Sequence, residues 1–289
     1  MAAKVFFTKE LNNLAALFDA AQTGKIIKAG ELVALKIHFG EPGNQAYLKP
    51  DRVKPLVKKV KALGGKPFWT DANTLYHGKR SDTKTHLMTA HNHGYTLNRT
   101  GAEVVISSGA PDAAAMLVIT HFKGHELTGF GGALKNVGMG CASRAEKLEQ
   151  HSDCDHCPAK PTCKKKEKLE ACWVGSSQVV QKNIIDHAVR VIRHFGGKTA
   201  FISFITDVSE NCDCYAFNSE PIVPDLGILA SCDPIALDQA CVDMVNNTAG
   251  RIKATDKFKA LYPKVDWNIQ LQYGAELGLG QRKYELSEI

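Results

Sequence analysis

The stretch "LVALKIHFGEPGN", Leu32–Asn44, joins a nearly continuous apolar run to a polar exit that contains two glycines. A strand with so few polar residues is typical of a parallel sheet that helices cover on both faces. In open α/β sheets, ligands bind beyond the carboxyl ends of the strands. The stretch therefore predicts a central strand of a parallel sheet, followed by residues that can contact a ligand.

Outward from this strand, short β-type runs alternate with helical patterns in both directions. Further strands are predicted at "KVFF", "KPFWTDAN", "AEVVISS", "AAMLVITH" and "TAFISFIT". Helices are predicted over Leu11–Ala21, from Val53 to Leu63, from Val180 to Phe195, after an Asp233 cap, and twice in the tail. This alternation favours an α/β fold with a mainly parallel sheet flanked by helices.

The composition is that of a soluble globular protein, with 44% hydrophobic and 23% charged residues in a chain of 289. No stretch approaches the roughly 18 uninterrupted apolar residues that a membrane helix needs. The start, "MAAKVFFTKELNN", has too short an apolar run for a signal peptide. We therefore expect a cytoplasmic protein with no membrane partner.

The net charge of +6 is mild, and the lysines cluster at Arg52–Lys66 and at Lys164–Glu170. A solvated helix face explains both clusters, because neither has the interleaved aromatics or the motif of a nucleic-acid surface. A nucleic-acid partner is thus disfavoured, whereas a small anionic molecule remains a candidate ligand.

Four of the nine cysteines fall within nineteen residues and give the spacing C-x2-C-x5-C-x8-C. The close first pair lets two thiolates reach one metal, and soft thiolates select zinc or iron–sulfur. Spacing alone leaves the choice between zinc and iron–sulfur open, and His156 could replace one cysteine as a ligand. The predicted ligands are Cys154, Cys157, Cys163 and Cys172.

The segment around these cysteines is polar, rich in lysine and without an apolar period. Segments of this size without a core commonly need metal or disulfide support. We therefore divide the chain into an α/β part with a glycine-rich loop (1–150), a small cysteine-rich metal-binding insert (151–175), and an α/β continuation with C-terminal helices (176–289).

Polar clusters follow four of the predicted strands. They begin at His38, at Asp71, at His121 and at Asp207, and the last includes the C-x-C pair of Cys212 and Cys214. Since the exits of parallel strands share one edge of the sheet, the four clusters together predict a functional cleft. The C-x-C pair is compatible with metal ligation, with a redox couple or with a simple tight turn.

The loop "TGFGGALKNVGMG" follows the third of these exits. Its Gly129, Gly131 and Gly132 allow the backbone to approach a ligand closely, although the spacing matches neither a dinucleotide fingerprint nor a Walker loop. Lys135 lies in this apolar, glycine-rich setting, where a desolvated lysine is a nucleophile or a covalent anchor. The alternative is a lysine whose ammonium reaches solvent.

Three motifs carry a resemblance to a known family: "KIHFGEPGN", "THFKGHELTGFGGALKNVGMGCASRAEKLEQHS" and "CDCYAFNSEPIVPDLGILASCDPIALDQA". Over nearly its full length the chain resembles the DUF362 family, whose members are often described as iron–sulfur centre proteins. Typical members carry a ferredoxin-like insert with two cysteine runs, whereas this insert is shorter and offers one four-cysteine set. The resemblance implies one iron–sulfur cluster of the 4Fe-4S type, with zinc as the alternative.

The segment "HELTGFGGALK" also resembles, more distantly, the nickel-pincer lactate racemase family. The resemblance implies that His125 is a catalytic acid or base, that Lys135 carries the cofactor covalently and that His151 contacts the cofactor's nickel. The segment "TKTHLMTAHNHG" resembles the family's second catalytic histidine segment, which assigns that role to His86. This chain is shorter, and the family's second domain is not evident in it.

Two classes of function follow. In the first, the protein is an enzyme whose cleft binds a small anionic substrate, with His86, His125 and Lys135 carrying redox or acid–base chemistry. In the second, it is a non-catalytic iron–sulfur or zinc protein that transfers electrons to, or binds, a redox partner protein. A lactate-racemase-like pincer enzyme is a further alternative within the first class.

Overall fold

One eight-stranded sheet organises the computed structural model, which describes residues 2–289. The strands are β1 (Ala3–Thr8), β2 (Leu32–Lys36), β3 (Lys66–Ala72), β4 (Val104–Ser107), β5 (Ala115–His121), β6 (Lys123–His125), β7 (Gly129–Gly131), β8 (Thr199–Ile205), β9 (Gly227–Ser231) and β10 (Tyr284–Glu288). The helices are α1 (Leu14–Ala20), α2 (Pro50–Ala62), α3 (Thr83–Asn92), α4 (Leu97–Thr100), α5 (Ala133–Gly138), α6 (Arg144–His151), α7 (Lys165–Lys168), α8 (Ser177–His194), α9 (Pro234–Asn247), α10 (Lys257–Leu261) and α11 (Asn268–Glu276).

The sheet is mainly parallel, as the sequence predicts. Its order is β10-β1-β9-β8-β5-β2-β3-β4, and β6 and β7 form a separate hairpin. Only β9 runs antiparallel to its neighbours β1 and β8 within this sheet of residues 2–289, and the other five pairings are parallel. The strand order joins segments from both sides of the cysteine-rich insert in one sheet.

Side chains of the central strands alternate between two apolar layers. On β2, Val33 and Leu35 pack towards α1 and α2, whereas Ala34 packs towards α5, α8 and α9. The strand β5 alternates in the same way and is buried along its whole length. Helices therefore cover both faces, which explains why these strands have no polar face.

Helix ends follow the local signals in the sequence. The Asp233 side chain accepts a hydrogen bond from the backbone N–H of Ala236 at 2.9 Å, and Pro234 is the first residue of α9. The predicted helix over Leu11–Ala21 is instead a short 3-10 turn followed by α1. The tail contains the two expected helices, and it also contains β10, which the sequence reasoning did not predict.

Among residues 2–289, no helix combines the length and the apolar character that crossing a lipid bilayer requires.

Candidate active site

A cleft of about 670 Å³ lies where the exits of β2, β3 and β5 meet the β6–β7 hairpin, α5, α6 and the turn at residues 212–217. Its charged lining side chains are Arg80, Lys123, Lys135, Lys147, Asp71 and Glu126. The lining also includes His38, His125 and His151. All four polar clusters contribute to this part of the molecule, so the cleft predicted from the strand exits is present.

The glycine-rich loop forms one wall of the cleft. Gly131 and Gly132 line it, and a Cβ added at Gly131 would meet no atom closer than 3.6 Å. Gly129 lies elsewhere: its φ is +76°, and an added Cβ would come within 2.5 Å of the Trp267 side chain. Gly129 therefore permits the tight hairpin turn against Trp267, and the structure does not bring it to the cleft.

A buried carboxylate holds the start of α5. Asp238, on α9, accepts hydrogen bonds from the backbone N–H groups of Ala133 at 2.7 Å and of Leu134 at 3.0 Å. A Cβ on Gly132 would lie only 2.4 Å from a carboxylate oxygen of Asp238, so a side chain there has no space. Burial raises the pKa of Asp238 to about 7, although the two N–H groups oppose this rise.

Lys135, on α5, is half-buried and lines the cleft. Its ammonium group forms no hydrogen bond or ion pair with any residue between 2 and 289. A cation in a cleft without an anionic partner attracts a negatively charged ligand, because the surrounding protein screens its field less than water does.

His125 and His151 line the same cleft as neutral rings with different tautomers. Nδ1 of His125 accepts the backbone N–H of Leu127 at 3.2 Å, so its proton is on Nε2. Nδ1 of His151 donates to the carbonyl oxygen of Lys147 at 2.8 Å, so its Nε2 carries a lone pair. The Nε2–H of His125 can therefore donate a hydrogen bond, and the Nε2 of His151 can accept a proton.

Burial keeps both rings neutral. It lowers the pKa of His125 well below the ordinary value, and the charge of Lys135 lowers it further. Burial also lowers the pKa of His151 to about 4, against the hydrogen bond to the Lys147 carbonyl. Near neutral pH, His151 is thus available as a base through its free Nε2 lone pair.

His86 lies one layer behind the cleft. It is fully buried, its Nδ1 is 3.2 Å from the amide oxygen of Asn73, and its Nε2 is 3.8 Å from a carboxylate oxygen of Asp71. Burial lowers the pKa of His86 to about 3. The structure therefore brings His125, Lys135 and His151 together and leaves His86 behind Asp71, which itself lines the cleft.

Buried ion pairs support this end of the sheet. The Lys36 ammonium lies 3.0 Å from Asp71, and the Arg80 guanidinium lies 2.9 Å from Glu41 and 3.5 Å from Asp71. Burial is the largest influence on Asp71 and disfavours its ionisation, but the charges of Lys36 and its cationic neighbours together outweigh burial and keep the pKa of Asp71 below its usual value. Charged groups held in this way keep a fixed orientation at the cleft floor.

Lys147, on α6, is also buried, but its ammonium contacts backbone carbonyl oxygens rather than a carboxylate. Its ammonium donates to the carbonyl oxygens of Ala72 at 3.2 Å and of Asn73, at the end of β3. Burial lowers the pKa of Lys147 to about 7, partly offset by the charge of Asp71. A fraction of this amine is therefore neutral at physiological pH.

Three residues of this site were not predicted from the sequence: Lys36, Lys147 and Asp238. Two of them had a detectable signal, since Lys36 interrupts the apolar run of β2 and Asp238 interrupts the apolar start of α9. A charged residue inside an otherwise apolar element is buried with a partner or at a site. Lys147 had no such signal, because polar residues surround it in α6.

Comparison with protein-family models gives a match to DUF362, a domain of unknown function, over residues 33–110 and 97–243. The chain belongs to the DUF362 family. Comparison of this DUF362 protein with curated proteins gives no match.

Among solved structures, this DUF362 protein is similar to the lactate racemase apoprotein from Thermoanaerobacterium thermosaccharolyticum. The sequences are 12% identical, the TM-score is 0.38, and the similarity covers 71% of this chain. It covers 51% of the racemase chain, so the DUF362 protein spans about half the length of that protein. The family model matches the resemblance to DUF362, and this structure matches the resemblance to lactate racemase. A structural likeness at this level carries no information on activity.

The cysteine-rich insert contributes Trp173 to the cleft. The Trp173 and His151 rings pack edge to face, with 4.6 Å between the ring centroids. Cys172 is buried against Leu75 and Leu148, and Cys163 is exposed. Cys154 and Cys157 are half-buried. Within residues 2–289, no three His, Cys, Asp or Glu side chains lie in an arrangement that could hold a metal ion. Metal binding by the insert stays a prediction.

Proposed function

We propose that this DUF362 protein is an enzyme that binds a small anionic molecule in the cleft and transfers protons to or from it. The observation that carries the proposal is the Lys135 ammonium group, which lines the cleft without a hydrogen bond or an ion pair to residues 2–289. Binding an anion would supply the partner that the protein itself does not.

The charge of the lining supports the same class of ligand. Of the four basic lining side chains, Arg80 pairs with Glu41 and Lys123 with Asp213. Lys36 offsets the lining carboxylate of Asp71, so Lys135 and the partly charged Lys147 remain against the single carboxylate of Glu126. A concave site with an excess of one sign of charge raises the local concentration of the opposite ion.

Proton transfer would fall to His151. Neutral His151 has a lone pair on Nε2, so it can accept a proton from the bound molecule and return it, whereas the Nε2–H of neutral His125 would donate a hydrogen bond that orients the molecule. His86 would act as a positioning residue through Asp71, since it does not line the cleft.

Binding measurements test the proposal, with L-lactate and inorganic phosphate as probe anions in isothermal titration calorimetry. Losing a charge-assisted contact costs about 1.5–3 kcal/mol, so Lys135→Met is expected to weaken binding roughly tenfold to a hundredfold. Lys198→Met is the matched control, because Lys198 pairs with Glu31 ahead of β8, at the opposite end of that strand from the cleft. Equal affinity of wild type and Lys135→Met, or no binding of either anion, would overturn the proposal.

A pincer-type cofactor is a second candidate, supported by the fact that His125, Lys135 and His151 all line one cleft. The residues fit: Lys135 has an unpaired amine for covalent attachment, and His151 has a free Nε2 lone pair for nickel. When bound, such a cofactor would add hydride exchange to the proton transfer. Intact-mass measurement of the isolated protein tests this candidate, because it requires an adduct on Lys135.

We also propose that the insert binds one iron–sulfur cluster, with zinc as the alternative ion. The support is the spacing of Cys154, Cys157, Cys163 and Cys172 and the shortage of buried apolar side chains in the insert. The four thiols do not lie together, so they would have to gather when the metal binds, as in other small metal-dependent segments. Electron transfer to a partner protein would then use the lysines from Lys164 to Lys168 as a docking patch.

A further inference from the structure

Cys212 and Cys214 lie in a rigidly held turn at the cleft. The backbone N–H of Tyr215 donates to the carbonyl oxygen of Cys212 at 3.0 Å, which closes the turn. The carbonyl oxygen of Asp213 accepts the backbone N–H of Glu41 at 2.8 Å. The carbonyl oxygen of Cys214 accepts the hydroxyl of Tyr76 at 3.3 Å.

The side chains of this turn point to two places. Cys212 and Cys214 both line the cleft, whereas Asp213 is fully buried behind it. The Asp213 carboxylate lies 2.8 Å from Nδ1 of His121 and 3.3 Å from the Lys123 ammonium. The ion pairs of Asp213 therefore hold both cysteines at the cleft.

Chain geometry permits a disulfide between the two cysteines. Residues two positions apart have Cα atoms at most about 7 Å from each other, and disulfides span about 4.4–6.8 Å between Cα atoms. Cys212 is only 3% exposed. A reagent that reaches its sulfur must therefore be small and must enter through the cleft.

Charged neighbours make the two thiols unequal. A hydrogen bond from Cys214 lowers the pKa of Cys212 well below the ordinary value, and Lys135 and Lys123 lower it further, against burial and Asp213. The same hydrogen bond and burial raise the pKa of Cys214, against the charges of Lys135 and Arg80. Of the two thiols, Cys212 therefore ionises more readily and is the expected nucleophile.

The other three cysteines outside the insert have raised thiol pKa values, unlike Cys212. Burial raises the pKa of Cys141 to about 11, and it also raises the pKa of Cys232 and of Cys241. Since the thiolate is the nucleophile, these three are expected to react slowly.

We propose that Cys212 and Cys214 form a two-electron dithiol–disulfide couple in the cleft, with a small hydroperoxide as the oxidant. The Cys212 thiolate attacks one peroxide oxygen, the O–O bond breaks, and the alkoxide or hydroxide that leaves takes a proton from solvent. Cys212 becomes a sulfenic acid. Cys214 then loses its proton and attacks the Cys212 sulfur, so that an S–S bond forms and water leaves. The dithiol loses two electrons and the peroxide gains them.

Hydrogen peroxide treatment of the reduced protein, followed by alkylation and peptide mass mapping, tests this couple in the full chain. The expected product is a peptide that contains a Cys212–Cys214 disulfide, while Cys232 and Cys241 of the same molecule remain alkylated. The couple is refuted if Cys212 and Cys214 stay alkylated when Cys232 has already reacted. Because the comparison is made within the wild-type protein, it does not depend on a variant folding correctly.

Variants assign the order of attack. In Cys214→Ser, a sulfenic acid is expected to accumulate at Cys212, where dimedone traps it. In Cys212→Ser, Cys214 is expected to remain unmodified, and a dimedone adduct at Cys214 there would overturn the assignment. Lys135→Met is expected to slow oxidation of Cys212 several-fold, and Cys232→Ser is the control that leaves it unchanged. These readouts need no bound anion, so they can fail or succeed independently of the proposed function.

Discussion

The Asp238 carboxylate accepts the backbone N–H of Ala133 at 2.7 Å, across 105 positions of the chain. This contact and its companion to Leu134 fix the first turn of α5, the helix that carries Lys135 to the cleft. The position of the proposed anion-binding lysine thus depends on a carboxylate that does not itself line the cleft.

Replacement of Gly132 by alanine is expected to destabilise the protein, because the new methyl group would lie within 2.5 Å of both Asp238 carboxylate oxygens. Overpacking of this kind costs about 1–3 kcal/mol. Gly131→Ala is the matched control, since the nearest atoms are 3.6 Å from its added Cβ. Urea unfolding measures both variants. Similar losses of stability in the two would contradict the contact.

Asp238→Asn is expected to change how stability depends on pH. In the native state Asp238 keeps its proton up to a pKa of about 7, whereas the unfolded chain releases it near its ordinary value of 3.8. The native state then binds more protons, so this group's contribution to stability falls as the pH rises from about 4 to about 7. Asp238→Asn cannot ionise at this position, so its stability lacks this decrease between about pH 4 and about pH 7.

Urea unfolding of wild type and Asp238→Asn at about pH 5 and about pH 8 measures the difference. The wild type should lose more stability between the two values than the variant does. An identical loss in both proteins would mean that Asp238 is ionised throughout.

His151 predicts the opposite pH dependence. Its native pKa of about 4 lies below the ordinary 6.5, so the unfolded chain binds the proton more readily. The corresponding stability is complete above pH 6.5 and is lost as the pH falls towards 4, by roughly 3 kcal/mol. His151→Gln should remove this part of the acid sensitivity. An NMR titration of the His151 ring, assigned by its disappearance in His151→Gln, measures the pKa. A midpoint near 6.5 would contradict its burial.

The cysteine-rich insert gives a prediction on metal content. Protein purified without oxygen is expected to contain iron and acid-labile sulfide, and Cys154→Ser and Cys157→Ser are expected to lose both. Cys232→Ser, at the exit of β9, is the control that keeps them. Zinc without iron would refute the cluster, and unchanged metal in the two serine variants would refute the ligands. Nickel would instead support the pincer cofactor.

The fold was largely predictable because its signals are local. An apolar run such as "LVALKIHF" is buried on both faces in any α/β sheet, and Asp233 followed by Pro234 begins a helix whatever surrounds it. The strand β10 was missed because four of its five residues are exposed, so it lacks an apolar pattern. Its pairing with β1 is a tertiary contact.

The site was predictable only in part, because spacing along the chain does not determine whether a side chain reaches the cleft or lies buried behind it. His125 and Lys135 share one wall since the hairpin and α5 follow each other directly. His86 and Gly129 looked equivalent to them in sequence, but one lies behind Asp71 and the other against Trp267. Those positions depend on packing between segments that are far apart in the chain.

Trp173 belongs to the cysteine-rich insert and also contacts His151 in the cleft. If metal binding in the insert or anion binding in the cleft moves the Trp173 indole, the two binding equilibria are therefore thermodynamically linked. By reciprocity, a metal that tightens anion binding must itself be held more tightly when the anion is present, by the same factor. The fluorescence of Trp173 would report both events through a single side chain.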